Sequence, residues 1–574
     1  MRKNDWYKYM SFYQIWIRSF MDGNGDGIGD LEGVYGKLEY IKNLGVDGIW
    51  FSPIYPSPNA DFGYDISDYK DIHPDYGTLD DFKKVLNKAH RLGLKVIMDL
   101  VINHTSDEHP WFIESRKGKD NPYSDYYIWR DKPNNWESIL EGNAWEYDEQ
   151  RGQYYLHLFA KKQPDLNMDN PKVREEVKSI LRFWLDMGVD GFREDVINFI
   201  SKKEGLPDGL PFVPVVNGMP HYKDGPHIHD YLGEFRKVCE EYDCFQLGEG
   251  PMTTVKSAMN YLTGPTKSLD MMFSFDHMMA DCLYTEYVHR PFDLRKYKRA
   301  LSKWQYALAG KAWNALYIEN HDHPRIISRY GSERLRRESG TSLAVSYLFL
   351  QGTPFIYQGQ EIGMTNIRLK SIDDYVDVSS KTNYHKYNLK DTVERRLKRI
   401  HFSSRDSSRT PMQWNGSRYA GFSTHRPWFF VNPNYRKVNV ASQEHDADSI
   451  LNFYRKCLKI RRHSRTLVYG SYKEYFPNDR HIYMYERRLG DICYLVMCSF
   501  SKLPVRVRIP HEFVGKKAKL VIANYNENTE DGHRLRNAAK AILYSDAVSH
   551  EGMGDAIGKE WFAPYEARVY RFRL

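Results

Sequence analysis

Along most of the chain, short apolar runs alternate with longer stretches whose apolar residues recur every three to four positions. The runs FYQIWIRSF (12–20), GVDGIWFSPIY (45–55), KVIMDLVINH (95–104), VDGFREDVI (189–197), CFQLGEG (244–250), DMMFSFD (270–276), NALYIENHD (314–322) and TPFIYQGQEIG (353–363) predict eight β-strands. Between them, segments such as LEGVYGKLEYIKNLG, TLDDFKKVLNKAHRLG, NPKVREEVKSILRFWLDMG and SERLRRESGTSLAVSYLFLQG carry helical periodicity, and each stops at a glycine. Eight β–α units predict an α/β fold, a (β/α)8 TIM barrel.

Two insertions interrupt the alternation. Residues 105–169, after the third strand, are rich in Trp, Tyr, Asn and Asp and predict an excursion subdomain. Residues 364–447, after the eighth strand, form a long polar segment that returns to a helix at 448–463. The barrel then occupies 1–104 and 170–466. From 467 the pattern changes to short alternating runs (HIYMYERR, ICYLVMCSF, VRVRIP, KLVIANY, ARVYRFRL), which predict a C-terminal antiparallel β-sandwich over 467–574.

Strands of a parallel sheet covered on both sides should be mostly apolar. Here polar residues crowd their C-terminal ends: Asp99 and His104, Arg193 and Asp195, Glu249, His321 and Asp322. That end of a barrel faces the active site. Asp195, Glu249 and Asp322 close the fourth, fifth and seventh strands, so they converge although distant in sequence. Cleaving a glycosidic bond needs one carboxylic acid to protonate the leaving oxygen and a second carboxylate to attack or support the anomeric carbon. Arg193 lies two residues before Asp195, on the same strand face, and its charge should favour an ionised Asp195. Negative neighbours should push Glu249 toward its protonated form.

These residues carry a resemblance. DLVINH (99–104), GFREDV (191–196), GEG (248–250) and NHD (320–322) resemble the four signature regions of glycoside hydrolase family 13. QPDLN (163–167) resembles a fifth region in the form of the oligo-1,6-glucosidase (isomaltase) subfamily. SPNADFGYDISDY, NHTSDEHPWF, GTPFIYQGQEIGMTN and SRDSSRTPMQW extend the likeness nearly end to end. The resemblance implies a retaining exo-acting α-glucosidase, with Asp195 as nucleophile, Glu249 as general acid/base and Asp322 as the third carboxylate. It implies that His104 and His321 donate to the same sugar ring, that Arg193 orients Asp195, and that Tyr64 forms a platform under the terminal glucose. Asp61 and Arg409 resemble a pair that closes the far side of that glucose, making a pocket that releases one terminal residue at a time.

Val196, after the nucleophile, goes in this subfamily with α-1,6 preference, so the expected substrates are isomaltose, panose and short isomalto-oligosaccharides. α-1,4 or mixed-linkage hydrolysis, trehalose-6-phosphate hydrolysis and sucrose isomerisation are the alternatives. The isomerases carry an Arg/Asp-rich motif after the sixth strand, where this chain has HRPFDLRKYKR. A non-catalytic carbohydrate-binding relative would need no acid/base pair. Glu194, by strand alternation, should point toward the helix layer, where a carboxylate must find a partner or stay protonated. Glu194 and Gly250 are expected to reshape the leaving-group side, near which His323, after Asp322, and Glu319, before the NHD motif, are also expected to lie.

DGNGDGIGD (22–30) sets Asp22, Asn24, Asp26 and Asp30 at alternate positions with the Ile28 carbonyl between. Hard oxygen donors at this spacing suit Ca²⁺, with Mg²⁺ also open, and similar enzymes hold a structural Ca²⁺ in such a loop. No organic cofactor is expected.

Composition changes this picture little. A net charge of +7 over 574 residues, with no long basic run, argues against nucleic acid as a partner. Six cysteines without metal-ligand or redox spacing, and no apolar stretch of membrane-spanning length, lead to the expectation of a cytoplasmic protein, acting as a monomer or weak homo-oligomer.

Overall fold

The eight predicted runs become eight parallel strands, each ending short of its run. They are β1 (Phe12–Ile15), β2 (Gly48–Phe51), β3 (Lys95–Leu100), β4 (Gly191–Glu194), β5 (Phe245–Glu249), β6 (Met271–Phe273), β7 (Ala315–Leu316) and β8 (Thr353–Tyr357). This is a computed structural model, describing residues 5–211, 216–283, 285–386, 391–525 and 559–574. The strands pair in the order β7-β8-β1-β2-β3-β4-β5-β6, and a parallel bridge from Met272 to Asn314 joins the two ends into a closed barrel. Almost every strand residue is buried, as expected of a sheet with side chains inside and helices outside.

The helices follow the strands one for one: α1 (Leu31–Leu44), α2 (Leu79–Arg91), α3 (Pro171–Met187), α4 (Ile228–Tyr242), α5 (Val255–Leu262), α6 (Leu294–Leu308), α7 (Arg336–Leu348) and α8 (Ile450–Arg462). Local sequence sets their ends. The Asp30 carboxylate accepts from Gly33 N–H to cap α1, and Thr78 and Asp81 form a reciprocal capping box on α2. Gly45 and Gly188 end α1 and α3 at φ of 99° and 107°, where a side chain would be strained. On α2 the buried face is Phe82, Val85, Leu86 and Ala89, helical spacing that turns one stripe onto the barrel. Burying each of the larger three stabilises by about 2 kcal/mol.

The excursion after β3 builds a three-stranded antiparallel sheet from Trp129–Arg130, Gln153–Leu156 and Trp145–Asp148, in that order. An isolated bridge from His104 to Asp165 returns it to the barrel rim. Below that bridge, Lys202 Nζ reaches Asp165 at 2.7 Å and donates to Asn103 Oδ1 at 2.8 Å. The segment after β8 is not merely polar loop: it contains helices Val378–Lys386 and Val393–Ser403, which form part of the cavity wall.

C-terminal to a short helix (Arg465–Tyr469), Ser471–Tyr475, Ile482–Leu489, Ile492–Ser499, Ala567–Arg573 and Ala518–Ala523 form a five-stranded antiparallel sheet in that order. A two-stranded ribbon, Val505–Arg508 with Lys559–Phe562, supplies the second layer. Met484, Leu495, Met497, Val507 and Phe562 are buried together in one apolar cluster. Residues 526–558 of the expected sandwich lie outside the described residues.

Candidate active site

Where β3, β4 and β5 end, three carboxylates meet one guanidinium. Register places Asp99 opposite Arg193, and Glu194 opposite Gly248, next to Glu249. Arg193 Nη1 donates to Asp99 Oδ1 and to Asp195 Oδ1, each at 2.6 Å, and Nη2 forms an ion pair with Glu249 Oε1. The other Glu249 oxygen accepts from Val196 N–H at 3.3 Å. Asp195 and Glu249 are therefore held as neighbours by a single guanidinium.

The turn that presents these groups is strained. Val196 adopts φ 36° and ψ 40°, a left-handed conformation costly for a β-branched residue. That turn is what carries its N–H onto Glu249.

Burial dominates the electrostatics. It raises Asp195 well above the usual carboxylate range, Glu249 and Asp99 adding to the effect and Arg193 opposing it. Asp99 is pushed up to about 6 by the same burial, against the pull of Arg193. The expectation that Arg193 alone would hold Asp195 low is thus corrected: one cation serves three buried anions. Such a cluster titrates as a unit and favours keeping a proton among its carboxylates.

Asp322 has the opposite balance. Burial works against its charge, but His321, Arg405 and Arg409 outweigh it and hold the carboxyl well below its ordinary value. Arg405 Nη1 and Arg409 Nη2 both donate to Asp322 Oδ1, at 3.1 and 3.0 Å, and His321 Nε2 lies 3.0 Å from Oδ2.

Tyr64 and His321 stack face to face, centroids 5.3 Å apart. Gln14 Nε2 lies 2.7 Å from His321 Nδ1, His321 Nε2 lies 2.6 Å from the Tyr64 hydroxyl, and that hydroxyl donates to Asp99 Oδ2 at 3.1 Å. With the amide donating, Nδ1 is the acceptor and Nε2 carries the proton. Burial lowers His321, and lowers His104 to about 4, so both rings are neutral near pH 7. Gln163 Nε2 bridges His104 Nε2 (3.2 Å) and Asp61 Oδ2 (3.3 Å).

These groups surround a cavity of about 500 Å³. Asp61, Tyr64, His104, Asp195, Val196, Glu249, Asp322 and Arg405 line it; Arg193 and His321 are fully buried one layer behind. The expected Asp61–Arg409 closure is corrected. Asp61 Oδ1 accepts instead from Arg405 Nη2 at 3.2 Å, and Arg405 also donates to Asp377 at 2.6 Å. Arg409 is fully buried, packed over Trp16 at 4.6 Å with its Nε on the His321 carbonyl. The two arginines sit four residues apart in SRDSSR, and the intervening turn sends the first to the cavity and the second beneath it. Nothing in the spacing distinguishes them. Asp377, Gln14 and Gln163 are the other supports that residue-by-residue reading did not assign.

The family description "Alpha amylase, catalytic domain" matches residues 14–470. The chain belongs to the α-amylase family, glycoside hydrolase family 13. Its relatives in that family include the oligo-1,6-glucosidase of Parageobacillus thermoglucosidasius, 46% identical over 583 residues and covering 99% of each chain. Among solved structures, isomaltulose synthase from Klebsiella sp. LX3 aligns over 100% of both chains with a TM-score of 0.90 at 38% identity. Trehalose-6-phosphate hydrolase from Bacillus licheniformis does so with a TM-score of 0.88 at 40% identity. The family membership makes this α-amylase relative a glycoside hydrolase.

Glu194 takes the outward face that strand alternation gives it, but the expectation that Glu194 and Gly250 reshape the leaving-group side is corrected. Glu194 points away from the cavity, 1% exposed, with Oε1 accepting from Gln246 Nε2 at 2.8 Å and Oε2 without a hydrogen-bond partner among the described residues. Burial, reinforced by Asp270, pushes it up to about 8, so it is the protonated alternative that the fold adopts. A Cβ on Gly250 would meet Thr253 Oγ1 at 2.4 Å and Met272 Sδ at 2.8 Å. A side chain there would have to displace the Thr253 and Met272 side chains. Neither residue lines the leaving-group side.

In the 22–30 loop, Asp22 accepts from Gly25 and Gly27 N–H at 2.5 and 2.8 Å, and Asp30 from Gly23, Asn24 and Gly33 N–H. Among the described residues no three His, Cys, Asp or Glu side chains gather as a metal site.

Proposed function

We propose that the chain is a retaining exo-α-glucosidase that removes terminal α-1,6-linked glucose from isomaltose, panose and short isomalto-oligosaccharides. The observation that carries the reading is the facing of Asp195 and Glu249 through Arg193 at the floor of a cavity whose far side Asp61 and Arg405 close. A closed far side admits a chain end and no more. The α-1,6 preference is supported by Val196 at the cavity wall and by the name of the relatives.

In the first step Glu249 gives its proton to the glycosidic oxygen while Asp195 attacks the anomeric carbon. Arg193 holds Asp195 Oδ1; Oδ2 has no hydrogen bond among the described residues and is the attacking oxygen. The C–O bond to the leaving sugar breaks with its electron pair, that sugar departs as an alcohol, and an ester joins Asp195 to glucose. Water then attacks the same carbon, giving its proton to Glu249, and the ester bond breaks to restore Asp195. Asp322, kept ionised by Arg405 and Arg409, faces the ring where positive charge develops.

Azide separates the two roles. In Glu249→Ala, azide should open the glucosyl ester and yield α-glucosyl azide. In Asp195→Ala it should attack the substrate directly and yield the β-anomer. Identical anomers from both variants would refute the assignment. A panel of isomaltose, panose, maltose, sucrose and trehalose 6-phosphate tests the linkage, and maltose or sucrose turned over faster than isomaltose would refute it.

A structural Ca²⁺ in the 22–30 loop belongs to the same proposal, held by Asp22, Asn24, Asp26, Asp30 and the Ile28 carbonyl. Support comes from the buried Asp22 and Asp30, near enough that the first raises the second, with no Lys or Arg ion pair to either among the described residues. All donors are oxygens, as Ca²⁺ prefers, and the ion would supply the missing positive charge. A cytoplasmic location is supported by six buried cysteines, none in a disulfide. Among the described residues no helix is long and apolar enough to cross a membrane.

A further inference from the structure

The helix Val378–Lys386 turns one polar stripe to the cavity. Ser379, Thr382, Asn383 and Lys386 all line it, at the i, i+3, i+4 and i+7 spacing of a single helix face. We propose that the outer part of this stripe, Asn383 and Lys386, binds the second sugar of the leaving group, so that the site favours trisaccharides and longer chains over disaccharides. The proposal rests on the α-glucosidase reading and adds to it a chain-length preference.

Three observations carry it. First, the helix is tied at its start to the closed end of the cavity. Asp377, immediately before it, accepts from Arg405 Nε and Nη2 at 2.8 and 2.6 Å, and the same Nη2 donates to Asp61. Ser380, in the first turn, donates its N–H and hydroxyl to Asp377 Oδ2 at 2.9 and 2.6 Å. From there exposure rises along the stripe: Ser379 is buried, Thr382 and Asn383 are half-buried, and Lys386 is exposed. The helix therefore runs from the end that takes the terminal glucose to the mouth, where only the leaving group extends. A rise of about 1.5 Å per residue puts Lys386 about 10 Å beyond Ser379 along the axis, farther than one pyranose ring reaches.

Second, the outer stripe is accessible and uncommitted. Asn383 spends its Nδ2 on the Ser379 carbonyl and hydroxyl, at 2.8 and 3.3 Å, and its Oδ1 has no hydrogen bond among the described residues. Lys386 Nζ has neither hydrogen bond nor ion pair among them. Other polar groups of the wall are engaged. Asp276 Oδ2 accepts from Lys303 and the Trp304 indole, Glu286 Oε1 is shared by His323 and Arg329, and Ser403 donates to the Arg399 carbonyl.

Third, the wall across the mouth is apolar. In the closed barrel β4 lies four strands from β8 in either direction, so the loops that follow these two strands rise on opposite sides. The helix follows β8, whereas Val216 follows β4 and Met252 follows the adjacent β5. Met252 is 50% exposed, apolar surface that a sugar would cover. A pyranose has apolar C–H faces and a rim of hydroxyls. Between these walls its face can pack on Val216 and Met252 while its hydroxyls meet the Asn383 Oδ1 acceptor and the Lys386 ammonium donor.

The test compares kcat/KM for isomaltose, whose single leaving sugar ends short of Lys386, with that for isomaltotriose, whose second leaving sugar reaches it. Wild type should favour isomaltotriose by roughly tenfold, as for one or two added hydrogen bonds. Combining Asn383→Ala with Lys386→Ala should bring the two substrates to within about twofold of each other. Lys386→Gln, which keeps donors at the mouth, should retain part of the preference. Each ratio is taken on one protein sample, so a fall in the folded fraction leaves it unchanged. Equal kcat/KM on the two substrates in wild type would overturn the proposal, and so would a preference that survives the double substitution. Wild-type protein inert on both substrates would instead overturn the α-glucosidase reading beneath it.

Discussion

Glu194 stores a proton in the fold, and that proton makes stability depend on pH in a direction the structure fixes. The carboxyl is buried beside Gln246, with Asp270 raising it further and Arg236 committed to Asp270 at 3.1 Å. Its folded value is about 8 against an ordinary 4.5. Between those values the native protein binds a proton that the unfolded chain has released, so stability falls as pH rises. The contribution is fully present below the unfolded value and is lost as pH climbs through the folded one. At pH 7 the accumulated loss is about 3 kcal/mol. Glu194→Gln and Glu194→Met remove the titration and nothing else that varies with pH. Each carries a constant cost, such as the altered hydrogen bond to Gln246, which displaces the whole curve but leaves its slope alone. Urea unfolding of wild type and both variants at about pH 5, 6.5 and 8 isolates the slope. The variants should gain on wild type by about 2 kcal/mol between pH 5 and 6.5, and by about 3.5 kcal/mol by pH 8. A variant-minus-wild-type difference that stays flat across this range would refute the buried, protonated state of Glu194.

Other consequences are as sharp. Val196→Ala should lower the isomaltose-to-maltose ratio of kcat/KM by roughly tenfold, about the discrimination that small apolar groups in a pocket provide, and an unchanged ratio would remove Val196 from linkage selection. Arg405→Ala should raise KM for isomaltose, because Asp61 and Asp322 both lose a partner. Arg409→Ala, beneath the cavity and wrapped by Trp16, should instead lower the unfolding midpoint by an amount matching about 3–5 kcal/mol, and equal KM effects from both would refute the division of labour. Adding Ca²⁺ at about a hundred times its dissociation constant to chelator-treated protein should stabilise it by about 2.7 kcal/mol, read as a rise in thermal midpoint that Asp22→Asn abolishes.

Much of this was legible in the chain because function here sits on regular elements. Asp99, Arg193 and Glu249 are strand residues, and alternation alone decided which faces they take. The same rule sent Glu194 outward, where the structure finds it. What stayed hidden lies where backbone periodicity ends. All eight predicted runs overshoot their strands at the C-terminal end, because apolar character continues into turns that leave the ladder to build the site. Val196 shows the cause: its left-handed φ of 36° has no residue signature, a valine there reading as one more strand position. Arg405 and Arg409 were indistinguishable for the same reason, since a single short turn sets which one faces the sugar. Glu286 and Arg329 come from separate elements and meet at His323 only through tertiary packing, so no local pattern could join them.

The barrel's register, more than any one side chain, makes the chemistry possible. Arg193 reaches Asp99 because the two stand directly opposite across β3 and β4, and it reaches Glu249 because β5 extends just beyond its pairing with Glu194. Slipping β4 by one residue would exchange faces, placing Glu194 inward beside Asp99 and Glu249 and turning Arg193 and Asp195 outward toward the helices. That slipped state would bury three anions together without a guanidinium and strand a cation in the helix layer, each costing several kcal/mol. The charges to which we assign cleavage of the substrate therefore also reject the misregistered sheet. Removing Arg193 should consequently damage folding as well as catalysis, whereas Asp195→Asn, which relieves one of three crowded anions and keeps the shape, should spare the fold while stopping the reaction.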